Sequence, residues 1–364
     1  VEGRSASSNR LCLLQHLRPS SAADVVLLAQ QFIRSGSWAL ARQLCEEAVS
    51  RFGKDTALTV CRAMVELGAG QHQLAESMLD EVLADHPEHL AALYTSAWMN
   101  IQRGNPVDAR EQLLTISQVF ADYPGALGTL ATLLLPGPSY REVLSFIHHA
   151  LKPASYLEIG VETGATLRLA QFSSTIIGID PDLSQVQDDV KASRAHLFPC
   201  TSDEFFDRHT PQSALNSQPL GLAFIDGMHQ FEFALRDFVS LEGWASPHTV
   251  IALHDVLPIL PLVATRKRQT KFWVGDTWKA LWILLENRPD LSISVIPTAP
   301  SGIAVVRGFG RGSPLTHAQL EPTLEKYTQL AYPDLKPGEF PAHVPVVPNA
   351  PGGWRTALGL EGRR

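Results

Sequence analysis

Three columns of small residues recur at one fixed spacing, and that spacing limits what the first third of this 364-residue chain can fold into. Gly36, Gly70 and Gly104 stand thirty-four residues apart, as do Ala29, Ala63 and Ala97, and again Ala41, Ala75 and Ala109. Alanines on two antiparallel helices let their backbones come close, and a glycine between them turns the corner where φ must be positive. Each unit therefore reads as a helical hairpin, as in 22–34 followed by 38–51, with Pro87 breaking the chain between the second and third units. One such hairpin cannot bury its apolar face alone, so successive units stack into a short solenoid with a concave side.

Past Pro136-Gly137-Pro138 the pattern changes. Apolar runs at 156–160, 175–180, 196–200, 221–226, 249–254, 291–297 and 302–307 alternate with helical stretches, which predicts an α/β domain built on a mostly parallel sheet. The short link Thr298-Ala299-Pro300-Ser301 makes the seventh strand antiparallel. The first strand runs into Glu158-Ile159-Gly160-Val161-Glu162-Thr163-Gly164-Ala165-Thr166. Glycines there permit a tight turn and a close ligand, and a helix starting near Thr166 would offer free N–H groups to a polar or anionic group. The second strand ends in Asp180. A glycine turn, then an acid one βα unit later, is the geometry that holds a nucleoside by its ribose hydroxyls.

Composition narrows the function classes. Apolar residues make up 45% and charged residues 18%, a globular balance, and the net charge of −7 argues against a nucleic-acid partner. No apolar run is long enough to span a membrane. Cys12, Cys45, Cys61 and Cys200 show no paired spacing, which argues against a disulfide framework or zinc site and suits a reducing, cytoplasmic setting. Residues 1–20 lack the pattern of a signal peptide. The expected divisions are an N-terminal segment 1–21, helical repeats 22–135, the α/β domain 139–331, and a Pro-rich tail 332–364, extended over the surface or disordered.

Two strand tips carry chemistry. The fourth strand ends Asp226-Gly227-Met228-His229, and the fifth ends His254-Asp255. Acids and imidazoles at the carboxyl ends of parallel strands face the ligand crevice, and an imidazole of ordinary pKa suits a general base. Asp226, His254 and Asp255 form a mixed O/N set able to hold a divalent ion. Metal-free chemistry, with His229 or His254 as base and the acids orienting it, is the alternative. Arg266-Lys267-Arg268 and Trp273, in the long connection 256–280, could receive an acidic group and a ring on the substrate, or form a solvated surface. His148-His149, at the end of helix 140–151, suits the helix dipole.

On these motifs residues 139–309 resemble class I S-adenosylmethionine-dependent methyltransferases, within them the catechol and sugar O-methyltransferases. Residues 22–123 resemble tetratricopeptide repeats, with Phe32 on the pattern and Glu66 and Asn100 off it. The resemblance implies a Rossmann-like methyltransferase domain with a seven-stranded sheet behind an all-α repeat domain. It also implies S-adenosylmethionine held by Glu158, Gly160, Gly164, Thr166, Asp180 and Asp226. Ser202 and Asp203 match the adenine contact, although a helix N-cap accounts for them equally well. The family's metal-binding positions fall on Asp226, His254 and Asp255, with magnesium or manganese as the ion, and its catalytic lysine falls on His229. The expected reaction is methyl transfer to a hydroxyl of a small molecule, such as a sugar or secondary metabolite. The repeats would serve self-association or a protein partner. Alternatives are methylation of a peptide captured by the repeats, a non-catalytic interaction module, and a hydroxylase on the same fold.

Overall fold

The computed structural model describes residues 19–191 and 193–361. Residues 1–18, which include Cys12, lie outside the described residues. The chain divides into two compact units, Val1–Leu130 and Ala131–Arg364.

In the first unit, helices Ala22–Arg34, Trp38–Phe52, Thr56–Gly68, His72–Asp85, Leu90–Gln102 and Pro106–Val119 follow one another through short turns. The periodic positions explain the packing. Ala29, Ala41, Ala63, Ala75 and Ala109 are fully buried and Ala97 nearly so. Gly36, Gly70 and Gly104 hold φ of +71°, +79° and +73°, and an added Cβ would meet nothing within 4 Å, so conformation alone demands glycine there. After each glycine the next N–H closes the same turn: Ser37 to Phe32, Gln71 to Glu66 and Asn105 to Asn100, each at 2.8 Å. Where the aromatic position is polar, it is satisfied inside the unit. Buried Glu66 pairs with Arg42 and lies 3.9 Å from Arg62, and the Asn100 amide donates to Gln112 at 3.1 Å.

The second unit is a seven-stranded sheet of order β3-β2-β1-β4-β5-β7-β6. Its strands are β1 Ser155–Ile159, β2 Thr175–Ile179, β3 His196–Phe198, β4 Leu220–Ile225, β5 Ala245–His254, β6 Ser292–Ile296 and β7 Ile303–Arg307. Strands β1 to β5 pair in parallel and β7 runs antiparallel to both β5 and β6. Side chains alternate between faces. Leu157, Ile177, Ala223 and Ile251 pack with helices Phe231–Glu242 and Trp278–Asn287, while Tyr156, Ile176, Leu222 and Val250 pack with helices Tyr140–Leu151 and Pro351–Leu358. The connections run outward in opposite directions from β1 and β4, which opens a crevice at their carboxyl ends.

Three local expectations change. The chain after Thr166 forms only a 3-10 turn, Leu167–Leu169, because β2 begins at Thr175 and leaves no room for an α-helix. The Pro-rich stretch is built into the sheet unit. Val295 donates to Pro345 and accepts from Val347, both at 2.9 Å, which covers part of the β6 edge. Helix Pro351–Leu358 then buries Trp354 against Phe146, with 5.1 Å between ring centres. His148 is buried against Tyr156, 4.6 Å between rings, and burial pushes its pKa down to about 4, so it is neutral and does not serve the helix dipole.

Candidate active site

The crevice at the β1/β4 tips is a cleft of about 720 Å³. Gly160 makes its floor possible. It holds φ +89°, and a Cβ there would overlap the Asp226 carbonyl oxygen and lie 2.9 Å from the Gly227 Cα, so the two strand tips meet only because a side chain is missing. Asp180, at the end of β2, ties the turn together. Its Oδ2 accepts from the Val161 and Glu162 N–H groups at 2.9 and 3.0 Å, and its Oδ1 accepts from Asp182 N–H at 2.8 Å.

Gly160, Thr166, Asp180, Ser202, Asp203 and Asp226 all border the cleft, as the sequence places them. Glu158 and Gly164 stand behind it. The Glu158 carboxyl is fully buried and accepts from Tyr156 Oη and Thr166 Oγ1, both at 2.6 Å. Burial pushes its pKa up to about 8 against those two hydrogen bonds. It braces the turn from inside. Gly164 packs on Val190, where a Cβ would come within 2.9 Å of a methyl group. The cap of helix Ser202–Arg208 falls on Thr201, whose Oγ1 accepts from Glu204 N–H at 3.2 Å, so capping does not account for Ser202 and Asp203.

The strand tips of β4 and β5 bring four groups together. Asp226 lies 3.0 Å from His254 Nδ1 and 3.6 Å from His229 Nε2, and Asp255 Oδ2 lies 3.0 Å from His229 Nδ1. Burial opposes the Asp226 charge, yet His254 and His229 hold its carboxyl well below the usual range. Burial also opposes charge on His229, but Asp255 and Asp226 outweigh it and raise the pKa to about 9. Burial raises Asp255 despite both histidines.

The donors able to meet at one ion are Asp226, His229 and Asp255, whose ligand atoms lie within 4.8 Å of one another. His254, expected among the ligands, turns Nδ1 to Asp226 and lies with Nε2 3.5 Å from Ser301 Oγ, its ring under Tyr140 at 4.4 Å. The donor set fits a cation on a further observation. His229 Nδ1 and Asp255 Oδ2 are buried, and neither has a hydrogen-bond partner although they face each other. An imidazole in the set favours manganese or a later transition metal over magnesium.

Several residues that shape this site carry weak sequence signals. His229 holds a left-handed φ of +56°. Trp273 stacks over its ring at 5.6 Å, Asp276 N–H donates to its carbonyl at 3.1 Å, and Gly275 passes so close that a Cβ would overlap that carbonyl. Asp276, fully buried, also accepts from Phe231 N–H at 3.1 Å and from Lys279 Nζ at 3.0 Å. Gly275-Asp276 ahead of a helix was the available clue. Ser301, buried in the β6–β7 link, donates to Asp255, and nothing in the local sequence marks it. Arg266 pairs with Glu232 at 2.7 Å and with Asp276 at 3.7 Å, so it belongs to this scaffold and is not held ready for a substrate anion.

Residues 157–256, which run from β1 through the β5 tip, match the methyltransferase-domain family, and residues 66–134 match tetratricopeptide repeats. The chain thus carries a methyltransferase domain preceded by tetratricopeptide repeats. No curated protein sequence matches it. Among solved structures it is similar to an O-methyltransferase from Bacillus cereus in complex with SAH, at 15% identity over 53% of this chain and 94% of that one, TM-score 0.38. It is also similar to TomG from Streptomyces achromogenes, an O-methyltransferase of tomaymycin synthesis in complex with SAM, at 16% identity over 54% and 95%, TM-score 0.38. A third is SAH-bound PaMTH1 from Podospora anserina, at 16% identity over 56% and 87%, TM-score 0.37. The matched methyltransferase segment contains Gly160, Asp180, Asp226, His229, His254 and Asp255, and ends before Trp273, Gly275, Asp276 and Ser301. Among the described residues no helix is long and apolar enough to cross a membrane.

Proposed function

We propose that the methyltransferase domain moves the sulfonium methyl of S-adenosylmethionine to a hydroxyl oxygen of a small-molecule acceptor. The observation that carries this reading is the convergence, in one cleft, of the Gly160–Asp180 turn with the Asp226–His229–Asp255 cluster. Asp180 holds the ribose hydroxyls and keeps the glycine turn folded around them. Gly160 lets the cofactor approach the β4 tip, with Glu158 and Thr166 bracing the turn. In the transfer the C–S bond breaks, its electron pair stays on sulfur, and the acceptor oxygen forms the new O–C bond, which leaves S-adenosylhomocysteine and a methyl ether. The domain's main contribution is to hold the two reactants in line.

The Asp226 and Asp255 carboxylates, set against the His229 and His254 imidazoles, call for positive charge, and a proton or a divalent cation can meet that need. Asp226, His229 and Asp255 would hold such an ion. When bound, it supplies a Lewis acid that lowers the acceptor hydroxyl's pKa. In the metal-free protein His229 is the base, and with its pKa raised to about 9 it accepts the hydroxyl proton only in alkaline solution. The free thiols of Cys45, Cys61 and Cys200 fit a cytoplasmic setting. The repeats are a surface for a protein partner or a second copy of the chain.

The test is manganese binding followed by electron paramagnetic resonance. His229→Ala should weaken it at least about tenfold, and His254→Ala much less. Equal loss in the two variants would remove the proposed ligand set. A panel of hydroxyl acceptors with methyl-labelled S-adenosylmethionine then tests the transfer, and label appearing on none of them would count against it.

A further inference from the structure

The cleft holds a cation that the reaction above does not use. Among its described lining residues Arg141 alone carries a permanent positive charge, while acids line the rest, from Asp180 and Asp203 to Asp226 and Asp255 at the β4 and β5 tips. Other arginines of this unit are matched to acids: Arg266 to Glu232, Arg236 to Asp203, and Arg288 to Glu242 and Asp290. Arg141 is exposed and pairs with no carboxylate among the described residues; its Nε donates to Tyr140 Oη at 3.3 Å. The next residue, Glu142, is taken up by the helix cap, where it accepts from Ser139 N–H and Oγ, both at 2.8 Å.

The surrounding structure sets this cation at the reacting end of the cleft. The Pro138 carbonyl accepts from Thr298 Oγ1 at 2.7 Å and from Asn349 Nδ2 at 2.9 Å, which pins the start of helix Tyr140–Leu151 to the β6–β7 link. Tyr140 then lies over the His254 ring with 4.4 Å between centres, and the Arg141 guanidinium lies 5.5 Å from the centre of the same Tyr140 ring. One aromatic ring thus stands between the cation and the β5 tip, whereas Asp180 sits at the β2 tip, across β1 and β4. Burial and the Asp226 charge raise the Tyr140 pKa, so its hydroxyl keeps its proton and can donate it to a ligand. Beside it, the guanidinium N–H groups other than Nε form the fork that grips a carboxylate through parallel hydrogen bonds.

We propose that Arg141 and the Tyr140 hydroxyl form an oxyanion site for the acceptor, so that the enzyme selects hydroxyl compounds that also carry a carboxylate. The inference rests on the cleft being a methyl-transfer site. Acids along the rest of the cleft repel a carboxylate everywhere but at Arg141, and this fixes which end of the acceptor meets the methyl group. Phe272, Trp273 and Pro300 border the same cleft and offer apolar surface to the body of the molecule. The bonds made and broken are those given above, and the carboxylate takes no part in them.

Methyl transfer by the full chain at neutral pH tests it, with labelled S-adenosylmethionine and the ortho, meta and para hydroxybenzoates, each beside its methyl ester. At least one acid should exceed its ester in kcat/KM by about tenfold or more. Arg141→Gln, at an exposed position that does not endanger folding, should bring that pair within about threefold by raising the KM of the acid. Arg141→Lys should keep part of the preference. The affinity for S-adenosylhomocysteine, read by calorimetry, should change less than about twofold in both variants. Equal rates on acid and ester, transfer to the esters alone, or an unchanged ratio in Arg141→Gln would overturn the oxyanion site. So would a loss of S-adenosylhomocysteine affinity as large as the rise in KM, which would assign Arg141 to the cofactor's own carboxylate. Transfer to no member, with S-adenosylhomocysteine still bound, would refute the acid acceptor and leave the cofactor cleft standing. Neither transfer nor binding would refute both.

Discussion

Gly275→Ala probes how His229 is held. Gly275 sits at φ +66°, and a Cβ there would overlap the His229 carbonyl oxygen and lie 2.8 Å from that residue's carbonyl carbon and Cβ. The adjacent Asp276 N–H donates to the same carbonyl at 3.1 Å, so His229 cannot retreat without losing that bond. Two costs add. A side chain in the left-handed region costs about 1–2 kcal/mol, and forcing packed backbone aside costs roughly 1–3 kcal/mol more. Gly308 is the control in the same unit, with φ +94° and its nearest neighbour 3.6 Å from an added Cβ, so Gly308→Ala carries the first cost alone. At about 2–4 °C per kcal/mol for a unit of this size, Gly275→Ala should lower Tm by roughly 4–20 °C and Gly308→Ala by roughly 2–8 °C. Scanning calorimetry of the full chain measures both, on the transition that S-adenosylhomocysteine shifts upward. Manganese binding should weaken at least about tenfold in Gly275→Ala and stay unchanged in Gly308→Ala. Equal Tm losses together with unchanged manganese binding would refute the claim that this segment sets His229.

Other residues give separate tests. His148 is held neutral, with its pKa lowered by burial to about 4 from an ordinary 6.5. The unfolded chain therefore binds a proton that the folded chain refuses, and stability should be full above about pH 6.5 and fall as pH drops toward 4, by roughly 3 kcal/mol. His148→Phe should flatten that part of the pH–stability curve in chemical denaturation, and an unchanged curve would show that His148 is not its source. Asp180→Ala should weaken S-adenosylhomocysteine binding about 10- to 100-fold, since it removes a charged acceptor and frees the Val161 and Glu162 amides. Unchanged affinity would sink its assignment to the ribose.

The legible parts of this chain were those where one residue type meets one physical demand. The columns Ala29/Ala63/Ala97 and Gly36/Gly70/Gly104 report close helix packing and left-handed turns, and each does in the structure what its period implies. Gly160 and Asp180 were legible for the same reason, and so was the meeting of the β4 and β5 tips. What escaped depends on contacts far apart in sequence. Glu158 reads as a binding acid because it precedes Gly160, but Tyr156 and Thr166 draw it inward. His229 comes to face Asp226 and Asp255 because Gly275 and Asp276, more than forty residues later, fix its backbone. Ser301 reaches Asp255 only once β7 has paired with β5. The Pro-rich stretch reads from its composition as extended over the surface or disordered. Val347, between Val346 and Pro348, still supplies an N–H to Val295, and Trp354 supplies the burial.

The central claim is that the β1/β4 cleft binds the methyltransferase cofactor, and calorimetric titration of the full chain with S-adenosylmethionine and S-adenosylhomocysteine tests it most directly. The account predicts one site per chain with a dissociation constant on the order of micromolar for both, retained when a chelator is present. No heat of binding with either nucleoside, with or without manganese, would contradict it.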